Sequence, residues 1–137
     1  ADLVSRETSF RALFIDYGHD GVCKDTFRAF KNHKLVDDVF GEPGECDLTA
    51  DVDFSFLKHI AAKANIVSYG PVNQEKFLVD MQIGARFKTL LGSCKTEEER
   101  TKLTDAFRML VDKDKMGERF KIMALRKFDF KHAPPGF

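Results

Sequence analysis

The sequence predicts an α/β fold, and three observations carry the prediction. A short apolar run at 10–16 (FRALFID) ends in an acid and is followed within two residues by Gly18, as suits a buried strand of a parallel sheet. Apolar residues at helical spacing fill 54–64 and 77–111. A second short apolar run at 119–126 (RFKIMALR) closes the order strand, ribbon, helix, strand, helices, strand. Three strands with helices between them are too few for a comfortable doubly wound sheet, so the arrangement reads as incomplete.

After the first strand, 26–34 (TFRAFKNHK) loosely alternates and predicts an extended ribbon. Glu42-Pro43-Gly44-Glu45 is a turn with Pro at its second position and Gly at the third, where positive φ is needed. Asp51 or Asp53 can cap a helix over 53–63, where Phe54, Leu57, Ala61 and Ala64 recur on one face. Asn65 ends it, and 66–69 is a brief strand closed by Gly70-Pro71. Asn73 opens a helix burying Phe77, Leu78 and Met81. Gly84 interrupts, and Ile83, Phe87, Leu90 and Leu91 carry the helix on to Gly92. Thr96-Glu97-Glu98-Glu99 has the form of a capping box, with acids in the first turn that suit the helix dipole. Leu103, Phe107, Leu110 and Val111 then follow at i, i+4, i+7 and i+8. The tail from His132 to Gly136 reads as loose.

Composition narrows the function classes. At 137 residues the chain is one domain's worth, and 43% hydrophobic with 32% charged residues is ordinary for a globular protein. Fourteen Phe and no Trp build the core around phenylalanine. Lys plus Arg and Asp plus Glu both number 22, so no net field attracts nucleic acid or anionic lipid. No run reaches the ~18 apolar residues of a membrane span, and no signal or transit pattern opens the chain. Ala1 in place of Met predicts a processed or trimmed start. Cys23, Cys46 and Cys94 are odd in number and form no CxxC, which predicts reduced thiols in a cytosolic-type compartment or mitochondrial matrix.

Five stretches together resemble the C-terminal half of the MidA-type methyltransferases: ALFIDYGHDG, DTFRAFKNHKLVDD, PGECDLTADVDFSFL, YGPVNQEKFLVDMQIG and KMGERFKIMAL. Animal members of that family act as a mitochondrial complex I assembly factor and protein-arginine methyltransferase. The resemblance runs from about Phe10 to Leu125, and LTADVDFSFL and MGERF are its most specific pieces because no generic helix or strand rule requires them. It implies the C-terminal part of a class I, Rossmann-like fold that uses S-adenosyl-L-methionine (SAM). In that fold 10–16 is the fifth strand, 66–69 the sixth, and 119–126 a seventh inserted antiparallel between them. The helices at 73–111 are a family insertion. The resemblance further implies a mitochondrial matrix location and a protein substrate, a complex I subunit. The family binds SAM through a glycine-rich turn after its first strand and an acid after its second. Neither is in this chain, and GHDG lacks the G-x-G-x-x-G spacing, so SAM would be bound mainly by upstream sequence.

Within that frame Asp16, Tyr17 and His19 belong at the carboxyl end of the first strand, where open α/β sheets bind ligands. Asp16 and His19 are the catalytic candidates: a carboxylate can hold a guanidinium through paired hydrogen bonds, and a histidine can accept the released proton. Against this stands a plain turn, with Asp16 accepting backbone N–H bonds and His19 solvated. Tyr17, Asp51 and Asp53 are substrate-binding candidates, the acids (with Asp47) by attraction for a cationic arginine. Helix capping accounts for at least one of these acids without any substrate. Asp16, His19, Asp20 and His33 have the donor types of a hydrolytic metal site but no recognised spacing, while His59 and His132 read as surface residues. Arg119, Lys121, Arg126, Lys127 and Lys131 mark either a partner surface or a strand edge protected by charge. No aromatic stripe accompanies them, so nucleic acid is not expected. With partner strands missing, 10–15 should expose an apolar edge that either self-associates or is covered by the residues before it. The alternatives to an enzyme part are a non-catalytic protein-interaction module and a metal-dependent hydrolase.

Overall fold

A computed structural model of the chain describes residues 9–21, 23, 25–127 and 133–137. Lys131 and His132 lie outside the described residues. The first apolar run forms β1 (Phe10–His19), and the last forms β7 (Phe120–Lys127), its antiparallel partner from Phe10↔Lys127 to Tyr17↔Phe120. On its far side β7 pairs antiparallel with β6 (Val67–Asn73). At its carboxyl end β1 pairs in parallel with the two-residue β5 (Val52–Asp53), through Gly18↔Val52 and His19↔Asp53. The sheet order is therefore β5-β1-β7-β6, with β7 running against its neighbours and inserted between β1 and β6 as the resemblance implied.

Because β7 has a neighbour on each side and cover on both faces, its centre is continuously apolar: Ile122, Met123 and Ala124 are all buried. One cover is α1 (Phe54–Lys63), which packs on β6 and β1. Asp53 caps α1 by accepting hydrogen bonds from the backbone N–H groups of Ser55 (2.9 Å) and Phe56 (3.1 Å). The interior position of β7 corrects the reading of its basic residues as edge protection. Lys121 donates to Asn73 Oδ1 at 2.9 Å, and the Arg119 and Arg126 guanidiniums lie over the rings of Tyr17 and Tyr69 at 5.0 and 5.1 Å.

The predicted ribbon at 26–34 is instead a hairpin of β2 (Arg28–Lys31) and β3 (Lys34–Val36), joined by Asn32 and His33 with φ of 50° and 61°. Two consecutive positive-φ residues are what a two-residue hairpin loop demands, and Asn tolerates them. On the other edge of β2 lies β4 (Asp47–Thr49), completing a separate three-stranded sheet. The Glu42–Glu45 turn forms as expected, with Glu45 N–H donating to Glu42 O at 3.1 Å and Gly44 at φ 86°.

Strand β6 runs through Gly70-Pro71 to Asn73 rather than stopping there, with a bulge between Tyr69 and Val72. Next come α2 (Gln74–Asp80), α3 (Ile83–Ser93) and α4 (Glu97–Val111). The break between α2 and α3 falls at Gln82, whose φ is 62°, and Gly84 lies inside α3. Met81, expected to be buried, is 47% exposed. The capping box forms as expected: Glu99 N–H donates to Thr96 Oγ1 at 3.2 Å, and Glu99 Oε2 accepts from Thr96 N–H at 3.3 Å. Gln74, buried, donates to Leu110 O at 2.9 Å and ties α2 to the end of α4. A π-helical turn at Lys113–Gly117 leads back to β7. A Cβ on Gly117 would overlap the Val111 carbonyl oxygen, which explains physically why MGERF carries a glycine there.

On the side of β1 away from β7, β5 pairs at Gly18 and His19, and Leu13, Phe14 and Ile15 are 41–51% exposed. An exposed apolar strand is a template for another strand. Residues 1–137 alone should self-associate in a concentration-dependent way, and Leu13→Lys with Ile15→Lys should restore a monomer. Sedimentation of the two proteins checks this, and a parent chain that stays monomeric at high concentration would contradict it.

Candidate functional site

Strands β1, β5 and β6 run in one direction, so their carboxyl ends share one edge of the sheet, the edge at which open α/β sheets bind ligands. Every candidate from the FIDYGHDG stretch lies toward that edge. Side chains alternate along β1, so Asp16 lies on one face of the sheet and Tyr17 and His19 on the other.

Asp16 is exposed, and its Oδ1 accepts the N–H of Tyr17 at 2.8 Å. Its cross-strand partner is Lys121, which in turn pairs with Asn73 on β6. An acid, an amine and an amide thus form one row across three strands. The Lys121 ammonium donates to Asn73 Oδ1 at 2.9 Å and to Glu118 O at 2.5 Å, which fixes its position. On the other face the Tyr17 ring packs on Phe120, with centroids 4.1 Å apart.

His19 Nδ1 lies 2.6 Å from Gly21 O. A carbonyl only accepts, so Nδ1 carries the hydrogen and Nε2 is left as an acceptor. The parallel register sets Asp53 beside His19. The Asp53 carboxyl is held below its ordinary value, first by the Ser55 hydroxyl and then by the backbone N–H groups of Phe56 and Ser55, with His19 contributing less. The structure therefore brings His19 and Asp53 together, with Asp16 on the opposite face.

Two of the remaining acids have partners of their own. Asp51 forms an ion pair with Arg28, and its N–H donates to Thr26 Oγ1 at 3.0 Å. Asp20 pairs with Lys58 at 2.7 Å. Among the described residues no group of three His, Cys, Asp or Glu side chains is placed to hold a metal ion. Lys121 and Asn73 were missed as site neighbours because only the strand register reveals them. A lysine inside the apolar run of β7 was the one available signal.

Whether these residues could cradle SAM is decided at the glycines. A Cβ on Gly18 would stand 2.5 Å from both the Phe54 ring and Val52 O, so that space is filled by the protein itself. Gly21, at φ 117°, has nothing within 4 Å of such a Cβ and stands open. At Gly18 the residues present therefore do not fit the approach of a cofactor.

Comparison with known proteins agrees with this fold. Residues 2–72 match the family model of S-adenosyl-L-methionine-dependent methyltransferases. The human mitochondrial protein arginine methyltransferase NDUFAF7 is 48% identical over 118 residues, which cover 86% of this chain and 26% of that protein. The Drosophila melanogaster homologue is 48% identical over 115 residues, covering 83% and 26%. Among solved structures, a superfamily member from Burkholderia thailandensis superposes with a TM-score of 0.80 at 25% identity, covering 91% of this chain and 35% of that one. Another from the same organism, bound to S-adenosyl-homocysteine, gives a TM-score of 0.73 at 26% identity, covering 85% and 32%. The chain spans about a quarter of the length of the curated relatives it matches. With its inserted antiparallel β7, its crevice edge and its matched residues 2–72, the chain belongs to the S-adenosyl-L-methionine-dependent methyltransferase family.

Proposed function

We propose that this chain is the C-terminal portion of a mitochondrial protein-arginine methyltransferase. The observation that carries the reading is the 48% identity to a mitochondrial protein arginine methyltransferase, sustained over 86% of the chain. Upstream sequence supplies most of the SAM site, the helices at 73–111 are a family insertion, and the substrate is a protein, a complex I subunit in the reading the resemblance favours. When bound, SAM supplies the methyl group.

The chain's own residues would act on the arginine. A guanidinium is always protonated, and methylation releases one proton. His19 stands at the end of β1 with Nε2 as an acceptor, so it takes that proton, while Asp53 beside it stabilises the resulting positive charge. Asp16 lies three residues back on the opposite face, roughly 10 Å along the strand at ~3.3 Å per residue. There it accepts paired N–H bonds from a second guanidinium of the substrate, too far from His19 to be the one that gives up its proton. Tyr17 lines the crevice wall, and Asp51, through Arg28, shapes the wall rather than meeting the substrate's charge directly.

The test uses the full-length enzyme. Methyl transfer to protein arginine, read by mass spectrometry, should fall roughly ten- to a hundredfold in Asp16→Asn, the loss of a charge-assisted bond worth about 1.5–3 kcal/mol. SAM affinity should stay nearly intact. Unchanged turnover would remove Asp16 from the site and leave it as the acceptor of the Tyr17 N–H.

A further inference from the structure

Residues 20–51 leave the main sheet after His19 and return at Val52, beside Gly18. The small sheet they form therefore stands next to the candidate site, at the carboxyl edge of β1 and β5. One of its faces carries the cross-strand row Leu48, Ala29 and Val36. Around it the chain is unusually apolar for an exposed surface: Phe40 is 74% exposed, Leu48 53% and Phe27 39%. The rings of Phe27 and Phe40 lie 5.9 Å apart, so these aromatics form one patch.

The same segment is the acidic part of a neutral chain. It holds eight acids (Asp20, Asp25, Asp37, Asp38, Glu42, Glu45, Asp47, Asp51) against four bases (Lys24, Arg28, Lys31, Lys34), a net charge of 4 − 8 = −4, while the whole chain sums to zero. Two of the bases pair within the segment, Arg28 with Asp51 and Lys31 with Glu42, and Asp20 pairs with Lys58 outside it. An exposed aromatic pair on an acidic sheet complements a partner that is both basic and apolar.

We propose that this face is the docking surface for the protein substrate, binding a segment that carries arginine together with apolar side chains. Phe40 is its anchor, and because residues 20–51 leave the main sheet at His19 and return at Val52, a bound segment can deliver a neighbouring arginine to the crevice. The proposal rests on the arginine methyltransferase reading. A surface of this kind raises the local concentration of substrate without touching SAM, so its loss appears in substrate affinity and leaves cofactor binding alone.

The experiment uses the full-length enzyme and a short synthetic peptide of arginine, leucine and glycine, with a second peptide in which glutamate replaces arginine. The parent should bind the basic peptide and not the acidic one. Phe40→Ala should weaken binding at least tenfold, and Asp37→Asn should weaken it less and flatten its salt dependence. Both variants should bind SAM as the parent does. Failure of the parent to bind the basic peptide, equal binding of the acidic one, or equal affinity in Phe40→Ala would each overturn the docking surface. Binding through Phe40 without methyl transfer in the presence of SAM would uphold the surface and reject arginine methylation. Methylation with the same KM in Phe40→Ala would do the reverse.

Discussion

Residues 1–137 alone should bind SAM no better than millimolar, and a longer chain that includes an upstream glycine-rich turn should bind it in the micromolar range. That difference is about a thousandfold, or ~4 kcal/mol. Binding must first offset ~4 kcal/mol or more of lost rigid-body freedom, and only a set of preplaced contacts exceeds it. The family's usual contacts are a backbone turn for the methionine portion and an acid for the ribose hydroxyls. Here Gly18 is packed against Phe54 and Val52, Gly21 stands open, and Asp53 already accepts hydrogen bonds from Ser55 and Phe56. The remaining groups, Asp16 and His19, lie on opposite faces of β1 and cannot share one small ligand at short range. Calorimetry on the two chains is the measurement. Micromolar SAM binding by residues 1–137 alone would overturn this expectation.

Where the sequence was legible, a local physical demand was written into it. The run ending at Asp16 had to be a strand because seven mostly apolar residues, too short for a core helix, stop at a polar turn. Thr96 and Glu99 announced α4, and the structure forms both reciprocal bonds of the box. Asp53, one of two offered caps, won because its carboxylate reaches two N–H groups while Asp51 is engaged by Arg28.

What was not legible depends on partners distant along the chain. Strand β5 is two residues long and exists only because β1 offers its backbone at Gly18 and His19. The Asn32-His33 turn was hidden because His is an unusual second residue for a left-handed pair. Gln82 rather than Gly84 takes the positive φ between α2 and α3. The row from Asp16 through Lys121 to Asn73 is a product of register alone: a slip of one residue would move Lys121 to the other face. The candidate site was thus legible as a place, the end of β1, and only partly as a set of residues.

Replacing Phe54 by alanine should be the most destabilising single change at this site, costing about 3–5 kcal/mol. Phe54 is fully buried, follows the cap Asp53 directly, and lays its ring on the Cα of Gly18. It therefore joins α1 to the end of β1 at the point where His19 meets Asp53. A loss of that size is a large part of the ~5–15 kcal/mol that holds a domain of ordinary size together. Gly18→Ala attacks the same joint from the other side. Its Cβ would come within 2.5 Å of Phe54 Cε2 and of Val52 O, and overpacking of this kind costs about 1–3 kcal/mol. The double variant separates the two contacts. Removing the ring relieves the first clash, but the Val52 carbonyl belongs to the β5 backbone and stays. The pair should therefore cost less than the sum of the single changes and more than Phe54→Ala alone. Urea unfolding of the full-length enzyme measures all three. A Phe54→Ala protein within about 1 kcal/mol of the parent would mean that the end of β1 is held by something other than this ring.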